Sequence, residues 1–317
     1  MSDLPCYDEL PVAPNGGRSG WGLFGPDDNL GLFNLLTPER LVEAAKLIRK
    51  GKIFPLDAPV DAFSPPIAAS RGIPRHRILH EEGSIVFDDV YDNFYPQASS
   101  QWDSLGHVGY SPDTFYNGAT AEDVAFGRRN TIEHWARRGL AGRAVVFDMV
   151  RTLAEAGRPY DPGTSAEFHV DDLELARHRG AIDFIPGDIL ILHTGFAAWY
   201  LEHRSEVRMS QSRHRTSPGL AHSEDVCRYL WDSHVSAVVS DTFAVEVAPI
   251  RVLDGSAIDF LHRILIGQFG MALGELWWTE DLAADCSQDG IYEVFLTSAP
   301  MNAPGAIGSP PNALAIK

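Results

Sequence analysis

Three short apolar runs constrain the fold of this chain most: AVVFDMV at 144–150, DILIL at 188–192 and VSAVV at 235–239. Each reads as a buried strand. Pro186-Gly187 and Gly195 bracket the middle run as turn punctuation. YEVFLT at 292–297 reads as a later strand. Helical signals accompany them. Thr37-Pro38-Glu39 combines an N-cap, an N1 proline and a first-turn acid. Leu41, Ala44, Ala45 and Ile48 follow at helical spacing, and Gly51 ends the run. Asp171 or Asp172 can open another helix, and Ser223 can cap one running to about Trp231. Strands and helices together predict an α/β or α+β chain.

The 317 residues, 44% of them hydrophobic, can bury one large core or two modest ones. The net charge of −17 sets the chain against nucleic acid and anionic membrane, which are themselves negative. Arg128-Arg129 and Arg137-Arg138 lie among acids and read as solvated helix faces. No stretch approaches the ~18 consecutive apolar residues of a membrane helix. MSDLPCYDEL at the start lacks the basic and then apolar pattern of a leader. Cys6, Cys227 and Cys286 are odd in number and far apart, which fits a reducing, cytoplasmic setting and argues against disulfides or a cysteine metal site.

The stretch 60–120 is rich in Pro, Gly, Ser, Asp, Asn and aromatics, as functional loops are. Inside it, SSQWDSLGH places Asp103 and His107 four residues apart. Such a pair can share a metal, or divide metal binding and proton transfer between them. Spacing alone favours the plainer alternative, an Asp bonded to local backbone and a surface His. His262 and Glu275 form a second candidate, both set among apolar residues. A carboxylate buried there needs a partner, either a metal or an arginine. Ser240-Asp241-Thr242 with Glu246 is the third, directly after the run at 235–239, where polar residues either face a site or cap the next turn. His76 and His80 are four apart without a helical frame and make poor ligand candidates. There is no Gly-x-Ser-x-Gly elbow, P-loop, GxGxxG fingerprint or His-Glu-x-x-His.

At these residues the chain resembles the cyclase-like metal-dependent hydrolases, the family of bacterial kynurenine formamidase and isatin hydrolase. The resemblance runs through Trp21-Gly22, Asn34-Leu35-Leu36-Thr37-Pro38-Glu39, Gly142 to Asp148, Pro186 to Leu190, Thr194-Gly195, Pro218-Gly219-Leu220 and Ser240-Asp241-Thr242, and ends at His262 and Glu275. Gln101-Trp102-Asp103 and Phe115-Tyr116-Asn117-Gly118 place it with a longer branch. The resemblance implies a swivelling β/β/α fold: an α/β β-sheet core flanked by helices with long active-site loops. Residues 1–317 would form one cyclase-like domain, with an N-terminal extension of about 1–50 packing on it.

Metal-dependent members carry His-x-Gly-Thr-His-x-Asp-x-Pro-x-His. Here Gln97 and Gln101 fall on the first two histidines, Asp103 on the Asp, Leu105 on the Pro and His107 on the last His. The resemblance implies a first metal site weakened by the glutamines and a second one formed by Asp103, His262 and Glu275, with Gln97 and Gln101 as additional ligands. One divalent ion is expected, Mn²⁺ or Zn²⁺ with Mg²⁺ as a further option, against the alternative of no metal at all. The leading expectation is an enzyme, a hydrolase of a small cyclic or acyl amide, lactam or lactone, with Asp103 and His107 as its catalytic pair and His107 as proton carrier. Its alternative is a metal-independent cyclase, lyase or dehydratase using Asp103, His107 and Glu275 as acid–base groups. A third reading is a catalytically inactive binding protein. Trp102, Phe24, Tyr116 and Asp241 are the substrate-binding candidates. The expected partner is a small molecule, with neither nucleic acid nor membrane, and the expected assembly is a homodimer or larger homo-oligomer.

Overall fold

A computed structural model of the chain describes residues 4–13, 17–203, 205–250 and 258–317. Residues 1–3, part of the opening MSDLPCYDEL, lie outside them.

The strands in chain order are β1 (Ile53–Pro55), β2 (Arg75–Leu79), β3 (Asp88–Asp92), β4 (Gln101–Asp103), β5 (Leu140–Asp148), β6 (Glu167–Phe168) and β7 (Ile189–His193). They continue with β8 (Gly219–Leu220), β9 (Ala237–Ser240), β10 (Ala272–Glu275), β11 (Glu293–Ser298), β12 (Gly308–Ser309) and β13 (Ala313–Ile316). Nine of them form one sheet in the order β1-β13-β11-β5-β7-β9-β10-β4-β12. β5, β7, β9 and β10 run parallel, and the flanking pairs are antiparallel. The expected α/β architecture, a sheet core flanked by helices, is the one formed.

The three apolar runs are the centre of that sheet. Every residue of β7 and β9 is buried, because both faces of a parallel sheet are covered, and this produces continuous apolar runs instead of alternation. β11, nearer the edge, alternates buried and half-buried positions. Helices Val170–Arg179 and Glu224–Asp232 fill the crossovers before β7 and β9. Ser223 caps the second, its Oγ accepting from Val226 N at 3.2 Å. Asp172 serves the first from inside, accepting from His169 N at 3.0 Å.

Thr37 caps helix Pro38–Ala45 as expected, accepting from Arg40 N at 3.4 Å. That helix closes sooner than the spacing through Ile48 predicts. Leu47 and Ile48 bond three residues back instead of four, tightening the chain out of the helix, and Ala44 is the helix's buried residue. The N-terminal segment packs on helix Glu224–Asp232: Trp231 Nε1 donates to Pro5 O at 2.9 Å, and Tyr7 N donates to Asp232 Oδ1 at 2.7 Å. Within 60–120 the sequence reading missed a hairpin. β2 and β3 pair antiparallel, with no fully buried residue in either. There His76 stacks on Tyr91 and His80 on Phe87, so neither of this pair converges on a metal.

Candidate metal centre

The site lies where β4 meets β10. β4 runs antiparallel to β10, with Asp103 opposite Leu273 and Gln101 opposite Glu275. Side chains alternate along a strand, so Gln101 and Asp103 share one face and Trp102 takes the other. Glu275 ends β10, and the chain then turns through Leu276 at φ 55°, a left-handed conformation uncommon for a leucine. Leu276 N is held by Thr242 O at 2.8 Å and its carbonyl by Ser100 Oγ at 2.5 Å. Helix Leu261–Leu265 brings in His262.

Asp103, His262 and Glu275 are all buried, and each offers a ligand atom within 4.8 Å of the others. His262 lies between two carboxylates. Its Nε2 is 2.9 Å from Glu275 Oε1, and its Nδ1 is 2.9 and 3.0 Å from the two oxygens of Glu246. Gln101 Nε2 donates to Glu275 Oε2 at 2.6 Å and lies 3.3 and 3.4 Å from the Asp103 oxygens. His107 Nε2 stands 3.6 Å from Asp103 Oδ1.

Three carboxylates, Asp103, Glu246 and Glu275, are thus buried around one imidazole. Among the described residues no lysine or arginine forms an ion pair with any of them, although Arg71 lies near enough to oppose part of the rise at Glu275. The electrostatics register the imbalance. Burial, reinforced by repulsion from Asp103, pushes Glu275 up to about 7. Burial works against charging His262, but Glu246 and Glu275 outweigh it and raise its pKa well above the usual histidine value. His107 moves the other way. Burial depresses it, and the attraction of Asp103 only partly offsets that.

The structure brings Asp103, His107, His262, Glu275 and Gln101 together. It does not bring the other candidates with them. Gln97 lies half-buried with its amide against Gly308, the residue opposite Asp103, and its carbonyl takes the Arg71 guanidinium. Trp102, a substrate-wall candidate, is a core residue. It is 0% exposed, stacks edge-on with Phe33, Trp135 and Trp277, and donates its Nε1 to Ser298 Oγ at 2.9 Å. Trp102→Ala is therefore expected to cost about 3–5 kcal/mol of stability in urea unfolding; a loss under about 1 kcal/mol would contradict this placement. Tyr116 is likewise fully buried, donating to Asp28 Oδ2 at 3.0 Å. Phe24 leans half-buried on the main core. Asp241 ties the end of β9 to the turn that follows the neighbouring β7, accepting from Thr194 N and Oγ1 at 2.8 and 2.7 Å and from Ala197 N at 3.4 Å. Buried and bonded in this way, Asp241 acts as a structural junction at the strand end.

The wall that does adjoin His107 is formed by Val108, Tyr110, Phe115, Phe260 and Arg263, around a cavity of about 250 Å³. Sequence reasoning missed these residues, although Tyr110 and Phe115 follow His107 in its own loop. It also grouped Glu246 with Asp241 and did not connect it to His262. All three cysteines are free, and burial pushes the thiols of Cys227 and Cys286 up to about 12, so neither is an activated nucleophile. Among the described residues no helix is long and apolar enough to cross a membrane.

The family model described as "Putative cyclase" matches residues 54–247. A crystal structure described as a novel cyclase is 31% identical, covers 94% of this chain and 99% of its own, and superposes with a TM-score of 0.83. The chain belongs to the cyclase family. Isatin hydrolase A from Ralstonia solanacearum (14% identity, 84% of this chain and 92% of its own, TM-score 0.57) shares the fold. So does isatin hydrolase A from Labrenzia aggregata (16%, 87% and 97%, TM-score 0.57). No curated protein matches the sequence.

Proposed function

We propose that this chain is a metal-dependent hydrolase of a small cyclic or acyl amide, lactam or lactone. The observation that carries this reading is the convergence of Asp103, His262 and Glu275, all buried, with one ligand atom of each within 4.8 Å of the others. A divalent cation fits such a group. Two carboxylates and an imidazole form a mixed oxygen and nitrogen donor set that suits Mn²⁺ or Zn²⁺. Glu246 on His262 Nδ1 is the outer carboxylate that orients a ligating histidine and leaves Nε2 for the ion.

When bound, such an ion supplies Lewis acidity toward water and toward a carbonyl oxygen. The chain's own residues supply the rest. His107, its pKa held low by burial, is neutral near pH 7 and can accept a proton. Its side chain is 24% exposed, and it stands between Asp103 and the aromatic cavity. Nε2 takes a proton from the attacking water. As the acyl C–N or C–O bond breaks, His107 returns that proton to the leaving nitrogen or oxygen. Phe260, which lines the same cavity as His107, stacks on His262 with ring centroids 4.6 Å apart.

Metal analysis of protein purified without chelator, with a panel of lactams, lactones and N-acyl amides, tests the proposal. One bound ion per chain and turnover abolished by EDTA are expected; no ion, with EDTA-insensitive turnover, sinks it. Glu246→Gln is expected to keep the fold and weaken Mn²⁺ binding about 10–100-fold, read by calorimetry; unchanged affinity would remove Glu246 from this role. The bonds of Gln101 to both carboxylates and the occupation of both His262 nitrogens favour a second reading, a metal-independent lyase or cyclase. The same metal analysis separates the two.

A further inference from the structure

Arg71 stands beside the buried carboxylates without being paired to any of them. It lies in the loop before β2, and that loop is anchored. Ile67 is buried in one apolar cluster with Phe63, Tyr200 and Leu276, the residue after Glu275. Tyr200 Oη donates to Pro65 O at 2.7 Å, and Arg71 N donates to Ala68 O at 2.9 Å. The Arg71 side chain then reaches the approach to β4, where Nη1 donates to Gln97 O. The Gln97 side chain rests against Gly308, the β12 residue opposite Asp103. The guanidinium is thereby held next to the centre, close enough for its charge to act on both His107 and Glu275.

Most of that guanidinium is still available. Arg71 is half-buried, and among the described residues no acid forms an ion pair with it. Nη1 is fixed by the Gln97 carbonyl, while Nε and Nη2 bond no protein group and are not sealed from solvent. Nε and Nη2 form the edge on which a guanidinium takes a carboxylate through two parallel N–H···O bonds. We infer that Arg71 is the anion-recognising residue of this site, and that the substrate carries a carboxylate which the Nε–Nη2 edge holds. This rests on the hydrolase reading above and adds the charge of its substrate. The field argues for the same pairing. The chain carries a net charge of −17, and Asp103, Glu246 and Glu275 concentrate negative charge at the centre itself. An anionic substrate is turned away by such a field unless a local cation receives it. A neutral amide or lactone needs no guanidinium there. The anchored loop and the Gln97 carbonyl hold the fork in place before the substrate arrives, so little side-chain freedom is lost on binding.

A purely structural arginine, clamping Gln97 to its loop, would treat charged and neutral ligands alike. Phenylacetate and its neutral counterpart phenylacetamide, both small enough for the cavity of about 250 Å³ beside His107, separate the two roles. Each is titrated calorimetrically into the full-length chain, with and without Mn²⁺. The unmodified chain is expected to prefer phenylacetate. Arg71→Gln is expected to weaken phenylacetate binding about 10–100-fold and to leave phenylacetamide binding unchanged. Arg71→Lys, which keeps the charge and loses the fork, is expected to fall between. Unchanged phenylacetate binding by Arg71→Gln overturns the inference, as does an equal loss for both ligands or an unmodified chain that does not prefer the anion. Should Arg71→Gln fail to fold, Arg71→Lys decides, and unchanged phenylacetate binding by it overturns the inference. Failure of the unmodified chain to bind Mn²⁺ overturns the metal centre, while the comparison in metal-free protein still decides Arg71.

Discussion

Replacing His107 by alanine is expected to lower kcat by about 10²–10⁴-fold while the fold and the bound metal are retained. The size of the effect follows from position. His107 is the titratable group between the buried carboxylates and the aromatic cavity, and its Nε2 is 3.6 Å from Asp103 Oδ1. It can lose its imidazole without leaving a buried charge unpaired, because its side chain is partly exposed and Asp103 has Gln101 beside it. The pH profile supplies a second test. Burial lowers the His107 pKa below its ordinary 6.5, so the base stays unprotonated down to that value, and the acidic fall of kcat/KM is expected below it. A nearby cation would push it the same way. Near-normal kcat in the alanine variant, with metal content unchanged, would remove His107 from the chemistry.

Asp103→Asn is the second large effect. It removes one of the carboxylates of the proposed metal centre, so metal uptake and turnover are both expected to be lost. Stability is expected to respond in opposite senses with and without metal. Free of metal, Glu275 is pushed up to about 7 by burial and by Asp103. The sign follows from linkage: a carboxyl raised in the folded state stabilises below its ordinary value of 4.5, and that contribution is lost as pH rises through about 7. Asparagine at 103 removes the repulsion, so at pH 7 the metal-free variant is expected to be at least as stable as the unmodified chain. Adding Mn²⁺ at a hundred times its Kd should stabilise the unmodified chain by about 2.7 kcal/mol and the variant by almost nothing. Thermal melts with and without Mn²⁺ measure both. An equal Mn²⁺ shift in the two proteins would place the ion away from Asp103.

Part of this was legible along the chain, because some of its signals are local. The apolar runs at 144–150, 188–192 and 235–239 became β5, β7 and β9, since a strand covered on both faces must be apolar throughout. Thr37 and Ser223 revealed their helix starts because a cap is a contact between residues three apart. The hairpin of β2 and β3 stayed hidden, because its exposed strands carry RHRIL and DDVYD without a buried face to impose a pattern. Asp241 and Trp102 misled for a related reason. A polar residue after a strand looks the same whether it meets substrate or ties off a neighbouring turn, and an aromatic beside an acid looks the same on either face of a strand.

The sequence by itself determined a chain of mixed strands and helices with a net charge of −17 and, through family resemblance, the α/β class and the pairing of Asp103 and His107 with the distant His262 and Glu275. Only the tertiary structure decided that Gln101 turns its amide onto two of those carboxylates, that Glu246 holds the far side of His262, and that Trp102 belongs to the core. These facts depend on which strand lies beside which, and on the face each residue takes once it is there. Registers between β4 and β10, some 170 residues apart, are settled by packing and by no signal within either segment.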